Sequence, residues 1–296
     1  MRLTRAAVGA GLAVAALVLW PLHAALAQQH ADVPYVSTPQ RVVEAMLEAG
    51  QVSASDFLID LGSGDGRVVI EAVRQRGARG MGIELDPNLV STANREASRL
   101  GIAASANFLS GNLFNFDFSK ATVVTMYLLP KVNLELRPRI LSQMAPGTRI
   151  VSHDFDMGKW KPDARREVAV PNKSYGPPVS QVYLWVVPAN ASGKWQWRLP
   201  AGTAAGMVEA TVRQSFQELN IDAVLDGHSA AVQGAQLRGD TISFTLILES
   251  GGQKLAQEFS GRIAGDRITG NVRTAGSDKF NSWQATRFAR GEMKTE

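Results

Sequence analysis

The chain has 296 residues, 45% of them hydrophobic and 20% charged, with a formal net charge of +4 and no cysteine. That length suits two domains, and that balance excludes a largely disordered chain. The lack of cysteine excludes disulfides, thiolate zinc sites and cysteine nucleophiles, and it suits an oxidising compartment. Two of the positive charges, Arg2 and Arg5, lie at the extreme N-terminus, and the +2 that remains (4 − 2) is too little to argue for a nucleic-acid partner.

Arg2 and Arg5 precede an apolar run from Ala6 to Leu22, and Ala25-Leu26-Ala27 then puts small residues where a signal peptidase reads them. This pattern predicts export with cleavage after Ala27 and a periplasmic mature chain. The alternative is an uncleaved inner-membrane anchor through residues 6–22, although the run is short for a span of about 20 residues. With either outcome the basic flank puts the rest of the chain outside the cytoplasm. A buried helix is the third reading.

Val42, Val43, Met46 and Leu47 recur at helical spacing, with Ser37 or Thr38 as the expected cap and Pro39 in the first turn. Phe57 to Leu61 reads as a buried strand ending in glycines. A helix is expected from about Arg67 to Arg76, a second buried strand over Gly80 to Leu85, and a helix opened by Asp86-Pro87 over about Asn88 to Leu100. Asn107 to Ser110 is a weak third strand, Ala121 to Tyr127 a fourth, Leu134 to Met144 a helix, Arg149 to Asp154 a fifth strand and Val179 to Val187 a late one. Strands alternating with helices imply a doubly wound, mostly parallel α/β sheet whose ligand site lies at the carboxyl ends of its strands. The texture changes over Pro188 to Gly193. Beyond it Ile242, Phe244, Leu246 and Leu248 alternate with polar residues, and Gly239-Asp240, Gly251-Gly252 and Gly265-Asp266 are turn signals. Gly234 through Gly239-Asp240 to Ile242 echoes Gly261 through Gly265-Asp266 to Ile268, as in successive hairpins of a small antiparallel barrel or sandwich.

The segment Leu58-Ile59-Asp60-Leu61-Gly62-Ser63-Gly64-Asp65-Gly66-Arg67 is a strand, a glycine turn and a helix start. Glycines let the backbone turn sharply against a ligand, and a helix N-terminus favours an anionic group. Glu84 ends the next strand, 18 residues after Gly66, where a carboxylate can accept both hydroxyls of a ribose. Dinucleotide sites usually require G-x-G-x-x-G, whereas the spacing here is G-x-G-x-G with Asp60 directly ahead. An acidic group at that strand end repels a pyrophosphate and suits the ammonium of S-adenosylmethionine (SAM). A lone glycine triplet is as readily a structural turn; Asp60, Glu84 and the strand–helix context favour a cofactor.

The loop resembles motif I of class I SAM-dependent methyltransferases. Pro34-Tyr35-Val36 with Thr38-Pro39, then Gly64-Asp65-Gly66-Arg67, Gly82-Ile83-Glu84 and Tyr127-Leu128-Leu129-Pro130, resemble one branch in particular. That branch contains the mitochondrial protein-lysine methyltransferases acting on the ATP synthase c subunit, and their bacterial relatives. The resemblance runs from about Val33 to Asp156 and leaves out the C-terminal strands. It implies a seven-stranded Rossmann-like SAM-binding sheet and methyl transfer, often to lysine. With the N-terminal pattern and the change of texture after Pro188, the expected limits are 1–27 for the signal, 28–188 for the methyltransferase domain and 194–290 for the small all-β domain. Carried over, Asp60, Gly62 and Gly64 hold the methionine end, Glu84 the ribose, and Tyr35 and Thr38 lie in a segment that closes over the cofactor. Asn112 stands where the family usually has an Asp contacting the adenine amino group, and its carbonyl accepts that bond without charge.

Methyl transfer from a sulfonium needs position and a desolvated pocket, and a lysine acceptor must first lose a proton. The candidates near the fourth and fifth strand ends are Tyr127, His153 and Asp154. Tyr127 would orient an amine through its hydroxyl or ring face, or be a wall residue. Asp154 would accept hydrogen bonds from the amine or favour its release of a proton through solvent, or it would cap or brace the loop Phe155-Asp156-Met157-Gly158. His153 reads first as a satisfied, partly buried histidine, and Trp160, Trp195 and Trp197 read as core. The histidines are scattered, so no metal site is expected. Three readings stay open. The first is methylation of a protein lysine, a membrane protein near the N-terminal segment being one candidate acceptor. The second is methylation of a small molecule or lipid. The third is an exported binding module that keeps the fold without turnover.

Overall fold

A computed structural model describes residues 35–174, 176–199, 206–250 and 253–296. The expected signal segment and the Gly251-Gly252 turn lie outside these described residues. The chain divides into two compact units, Met1–Val36 and Ser37–Glu296. Of the first, Tyr35 and Val36 are described, and neither is in regular secondary structure.

The second unit begins with α1 (Gln40–Ala49), β1 (Phe57–Leu61), α2 (Arg67–Arg76), β2 (Arg79–Glu84), α3 (Pro87–Arg99) and β3 (Ala106–Ser110). It continues through β4 (Val123–Met126), α4 (Pro130–Gln143), β5 (Arg149–His153), β6 (Ala164–Ala169) and β7 (Val179–Val186). These strands form one seven-stranded sheet in the order β3-β2-β1-β4-β5-β7-β6. The first five run parallel, and β7 is antiparallel to both its neighbours. All four residues of β4 and the last four of β1 are buried, as strands covered on both faces must be.

Three local expectations are corrected. Pro39 itself is the N-cap residue of α1 and no side chain caps that helix, because the Thr38 hydroxyl is used by His153. The fourth helix starts at Pro130 rather than Leu134, since Pro at the first helical position needs no N–H partner. Strand β6 has no counterpart among the expected strands: Ala164–Ala169 is an exposed edge strand with no apolar alternation.

The described residues between 193 and 290 include β8 (Gly193–Arg198), β9 (Met207–Ser215), β10 (Glu218–Leu225), β11 (His228–Arg238), β12 (Thr241–Ser250), β13 (Gln253–Ala264), β14 (Arg267–Thr274) and β15 (Asn281–Arg290). Of barrel and sandwich, the structure takes the closed barrel, with β15 pairing back onto β8. Its interior is filled: the rings of Trp197, Phe244, Phe259 and Trp283 lie 4.9 to 6.0 Å apart between centroids. The expected hairpins at Gly239-Asp240 and Gly265-Asp266 are the β11–β12 and β13–β14 turns. Trp160, Trp195 and Trp197 are all buried.

Gly66 shows why the loop and sheet fit. It is the N-cap of α2 at φ 82, and a Cβ there would stand 2.6 Å from the Phe108 ring and 2.8 Å from Ala93. Gly66→Ala therefore meets both a left-handed backbone and a clash, together about 2–5 kcal/mol. The midpoint of thermal unfolding is expected to fall by roughly 5 °C or more. An unchanged midpoint would show that β3 and α3 yield to the methyl group.

Candidate cofactor and acceptor site

Strand β1 delivers Asp60 to the carboxyl edge of the sheet, almost fully buried. Its Oδ1 accepts the Thr125 hydroxyl at 2.7 Å, from the neighbouring strand β4. Burial pushes the carboxyl up to about 8, the charges of Glu84 and Asp65 add to the rise, and the Thr125 hydrogen bond opposes it. Such a group carries charge readily only beside a cation, which is what the ammonium of SAM provides. Gly62, Gly64 and Gly66 take φ of 75, 54 and 82, open to glycine at little cost. The N–H groups of Gly62 and Ser63 donate to the Ile83 carbonyl at 2.9 and 3.1 Å and tie the turn to β2.

Glu84 is fixed by the same loop. Its Oε2 accepts the Gly64 N–H at 2.8 Å, and its Oε1 accepts those of Leu85 and Asp86 at 2.8 and 3.0 Å. Three of its roughly four acceptor positions are thus filled by backbone, leaving Oε2 the better placed of the two oxygens to take a hydroxyl. Beside it, Leu85 is 49% exposed at the carboxyl end of β2. In sequence Leu85 reads as one more residue of a buried strand; in the structure it offers an apolar face next to Glu84. Asn112 is exposed, and its Oδ1 accepts the Phe114 N–H at 2.9 Å, so the carbonyl expected for adenine closes a local turn.

Thr38 is held from two sides. Its hydroxyl meets His153 Nδ1 at 3.3 Å, and its carbonyl accepts Arg67 Nη1 at 2.9 Å, while Arg67 pairs with Asp65 at 2.5 Å. The segment before α1 is thereby tied to the cofactor loop and to the end of β5. Arg67 is a residue that sequence reasoning misses, although it stands in Gly64-Asp65-Gly66-Arg67. Tyr35 belongs to the first unit and is half-exposed.

On the acceptor side Tyr127 leaves the end of β4. Its ring stacks on His153 with centroids 3.8 Å apart and on Phe155 at 6.1 Å. His153 is buried, and its Nε2 meets Ser180 Oγ at 2.9 Å. Burial pushes it down to about 4, assisted by the Lys173 charge against the pull of Asp154. The ring is neutral near pH 7 and both nitrogens are engaged: the satisfied histidine of the sequence reading.

Asp154 is held by an ion pair and a backbone hydrogen bond. Its Oδ2 pairs with Lys173 Nζ at 2.6 Å and its Oδ1 accepts the Gln181 N–H at 2.9 Å, with both ionic side chains nearly buried. Each oxygen thus holds a partner, which supports the bracing reading of this residue. Among the described residues no group of three or more His, Asp or Glu side chains is arranged to hold a metal.

The family model described as the ANTKMT methyltransferase domain matches residues 60–164. A protein-lysine N-methyltransferase of Saccharolobus islandicus (strain REY15A) is 39% identical over 156 residues, covering 52% of this chain and 94% of that one. The adenine nucleotide translocase lysine N-methyltransferase of Mus musculus is 35% identical over 168 residues, 55% of this chain and 72% of that one. Among solved structures, an RNA methyltransferase from Salinibacter ruber in complex with S-adenosyl-L-homocysteine is 51% identical, covering 51% of this chain and 94% of that one, with a TM-score of 0.47. The chain belongs to the family of SAM-dependent methyltransferases that includes these protein-lysine N-methyltransferases, and SAM is its cofactor.

Proposed function

We propose that this enzyme methylates a lysine amine of a protein, and that it does so outside the cytoplasm. The observation that carries the SAM-dependent part of the reading is Asp60, a buried carboxyl held by Thr125 beside a left-handed glycine turn. In this reading Asp60, Gly62 and Gly64 receive the methionine end, Glu84 a ribose hydroxyl, and Leu85 with Asn112 the adenine edge. Thr38 belongs to the segment that closes the site. SAM supplies an already activated methyl group. Tyr127 orients the acceptor amine through its hydroxyl. With both ring nitrogens of His153 engaged by Thr38 and Ser180, and Asp154 paired with Lys173, the amine's proton leaves to solvent rather than to either side chain.

The protein acceptor is supported by the named activities of the relatives, one of which acts on adenine nucleotide translocase. A translocase works across a membrane, so a membrane protein is the acceptor class we favour. The periplasmic location, with residues 1–27 cleaved or residues 6–22 retained as an anchor, is supported by Arg2, Arg5 and the apolar run after them.

Labelled-methyl transfer from SAM into membrane extract tests the reaction, with label expected on protein lysine. Label confined to lipid, small molecules or RNA overturns it. A reporter fused at Gln28 is expected to report the periplasm, and a cytoplasmic signal overturns the location.

A further inference from the structure

The loop after β5, residues 154–160, carries Phe155 against Tyr127 and is tied along its length. Asn133 Nδ2 donates to the carbonyls of Phe155 and Asp156, both at 3.2 Å, and Arg137 Nη1 donates to the Met157 carbonyl at 2.9 Å. Met157 bridges to Trp160, which is fully buried. All these ties come from the methyltransferase sheet and its helix α4. One more comes from the barrel.

The turn between β9 and β10 presents Phe216 at φ 51, a left-handed conformation that a bulky residue keeps only where its surroundings over-determine it. The Phe216 ring is buried, stacks on Trp160 with centroids 6.1 Å apart and planes 7° from parallel, and lies under the Arg137 guanidinium at 5.5 Å. Its N–H donates to the Lys294 carbonyl at 3.0 Å and its carbonyl accepts Gln214 Nε2 at 2.6 Å, so the turn is rigid within the barrel. Gln217 Nε2 donates to the Lys161 carbonyl at 2.7 Å, just past the end of that loop. The barrel thus sets an aromatic ring against both Trp160 and Arg137, the two residues that hold the loop bearing Phe155. The family model ends at residue 164, before the barrel begins.

We infer that the barrel braces the acceptor side of the site, with Phe216 a positioning residue that fixes loop 154–160 and, through Phe155, the Tyr127 ring. The inference rests on the proposed place of Tyr127 at the acceptor. Stacked rings and a cation over an aromatic face both depend on the plane Phe216 supplies. An aliphatic side chain of similar size fills the volume without that plane.

The test uses the full chain with Phe216→Ala, Phe216→Leu and Phe216→Trp. Three quantities are measured: hydrogen exchange of the 154–160 amides, calorimetric Kd for SAM, and label transfer into membrane-extract protein at saturating SAM. Phe216→Ala is expected to speed exchange in the loop and slow turnover, each about tenfold or more, with the SAM Kd within twofold of wild type. Phe216→Leu is expected to do the same to a smaller degree and keeps the test open if the alanine variant fails to fold. Phe216→Trp is expected to restore both. Wild-type exchange and turnover in the leucine variant, or a loss of turnover matched by an equal loss of SAM affinity, overturns the inference. If the wild type labels no protein, the proposed function fails, while the exchange comparison still decides whether Phe216 holds the loop.

Discussion

Asp60→Asn is expected to weaken SAM binding about ten- to hundredfold, which is the roughly 1.5–3 kcal/mol of a hydrogen bond to a charged group. It is also expected to remove a pH dependence. Without a cation beside it the Asp60 carboxyl titrates at about 8, so at pH 6 it is almost wholly neutral and must shed its proton to pair with an ammonium. Affinity of the wild type should therefore rise by up to about tenfold per unit from pH 6.0 to 7.5, while an ammonium of ordinary pKa still holds its charge. The asparagine variant should bind with a nearly flat profile. The stability sign runs the other way. The folded pKa of about 8 lies above the ordinary value of 3.8, so stability held by the neutral carboxyl is whole below about 3.8 and is lost as pH rises through 8. Without SAM, the wild type should lose thermal stability relative to Asp60→Asn between pH 5 and 8, and the difference should level off above. Calorimetry and thermal unfolding across that range measure both effects. Equal, flat affinities for the two proteins would remove Asp60 from the cofactor site.

Asp60 is legible because three local signals coincide: a strand of apolar residues, a turn that only glycines make easily, and a helix restarting at Arg67. The strand–helix alternation marks the five parallel strands, and the apolar run of Val179 to Val187 marks β7 as a sixth. Strand β6 escapes because an edge strand facing solvent has no such run. What the sequence withholds is pairwise and long-range. Thr125 reads as an ordinary strand residue until β4 lies beside β1 and its hydroxyl meets Asp60. Leu85 reads as buried until the strand is seen to end one residue earlier. Phe216 reads as a lone apolar residue in a turn, and only the docked barrel sets it against Trp160. Composition and turn signals announce the barrel, but its closure depends on β15 finding β8, about ninety residues apart in the chain.

Asp154 is where local reading and structure part most clearly, and it carries the second large expected effect. Asp154→Asn keeps the left-handed backbone at φ 61, which asparagine tolerates, and keeps an oxygen for the Gln181 N–H. It removes the charge opposite Lys173, whose side chain is 8% exposed. Removing one partner of a buried ion pair typically costs about 3–5 kcal/mol, because the other charge is left without compensation. The variant is therefore expected to unfold at a markedly lower temperature. Lys173→Met with Asp154→Asn removes both charges, and the double variant is expected to recover most of that loss, since an apolar side chain in place of a buried ion is often neutral or stabilising. Turnover separates the roles. If Asp154 serves as the counter-ion of Lys173 and braces β7, the double variant methylates its acceptor at close to the wild-type rate below its unfolding temperature. If Asp154 receives the acceptor amine, the double variant regains stability and stays inactive. The pairing at 2.6 Å and the second oxygen's bond to Gln181 favour the first outcome. Tyr127, whose ring stacks on His153 and on Phe155, is then the remaining candidate to meet the amine.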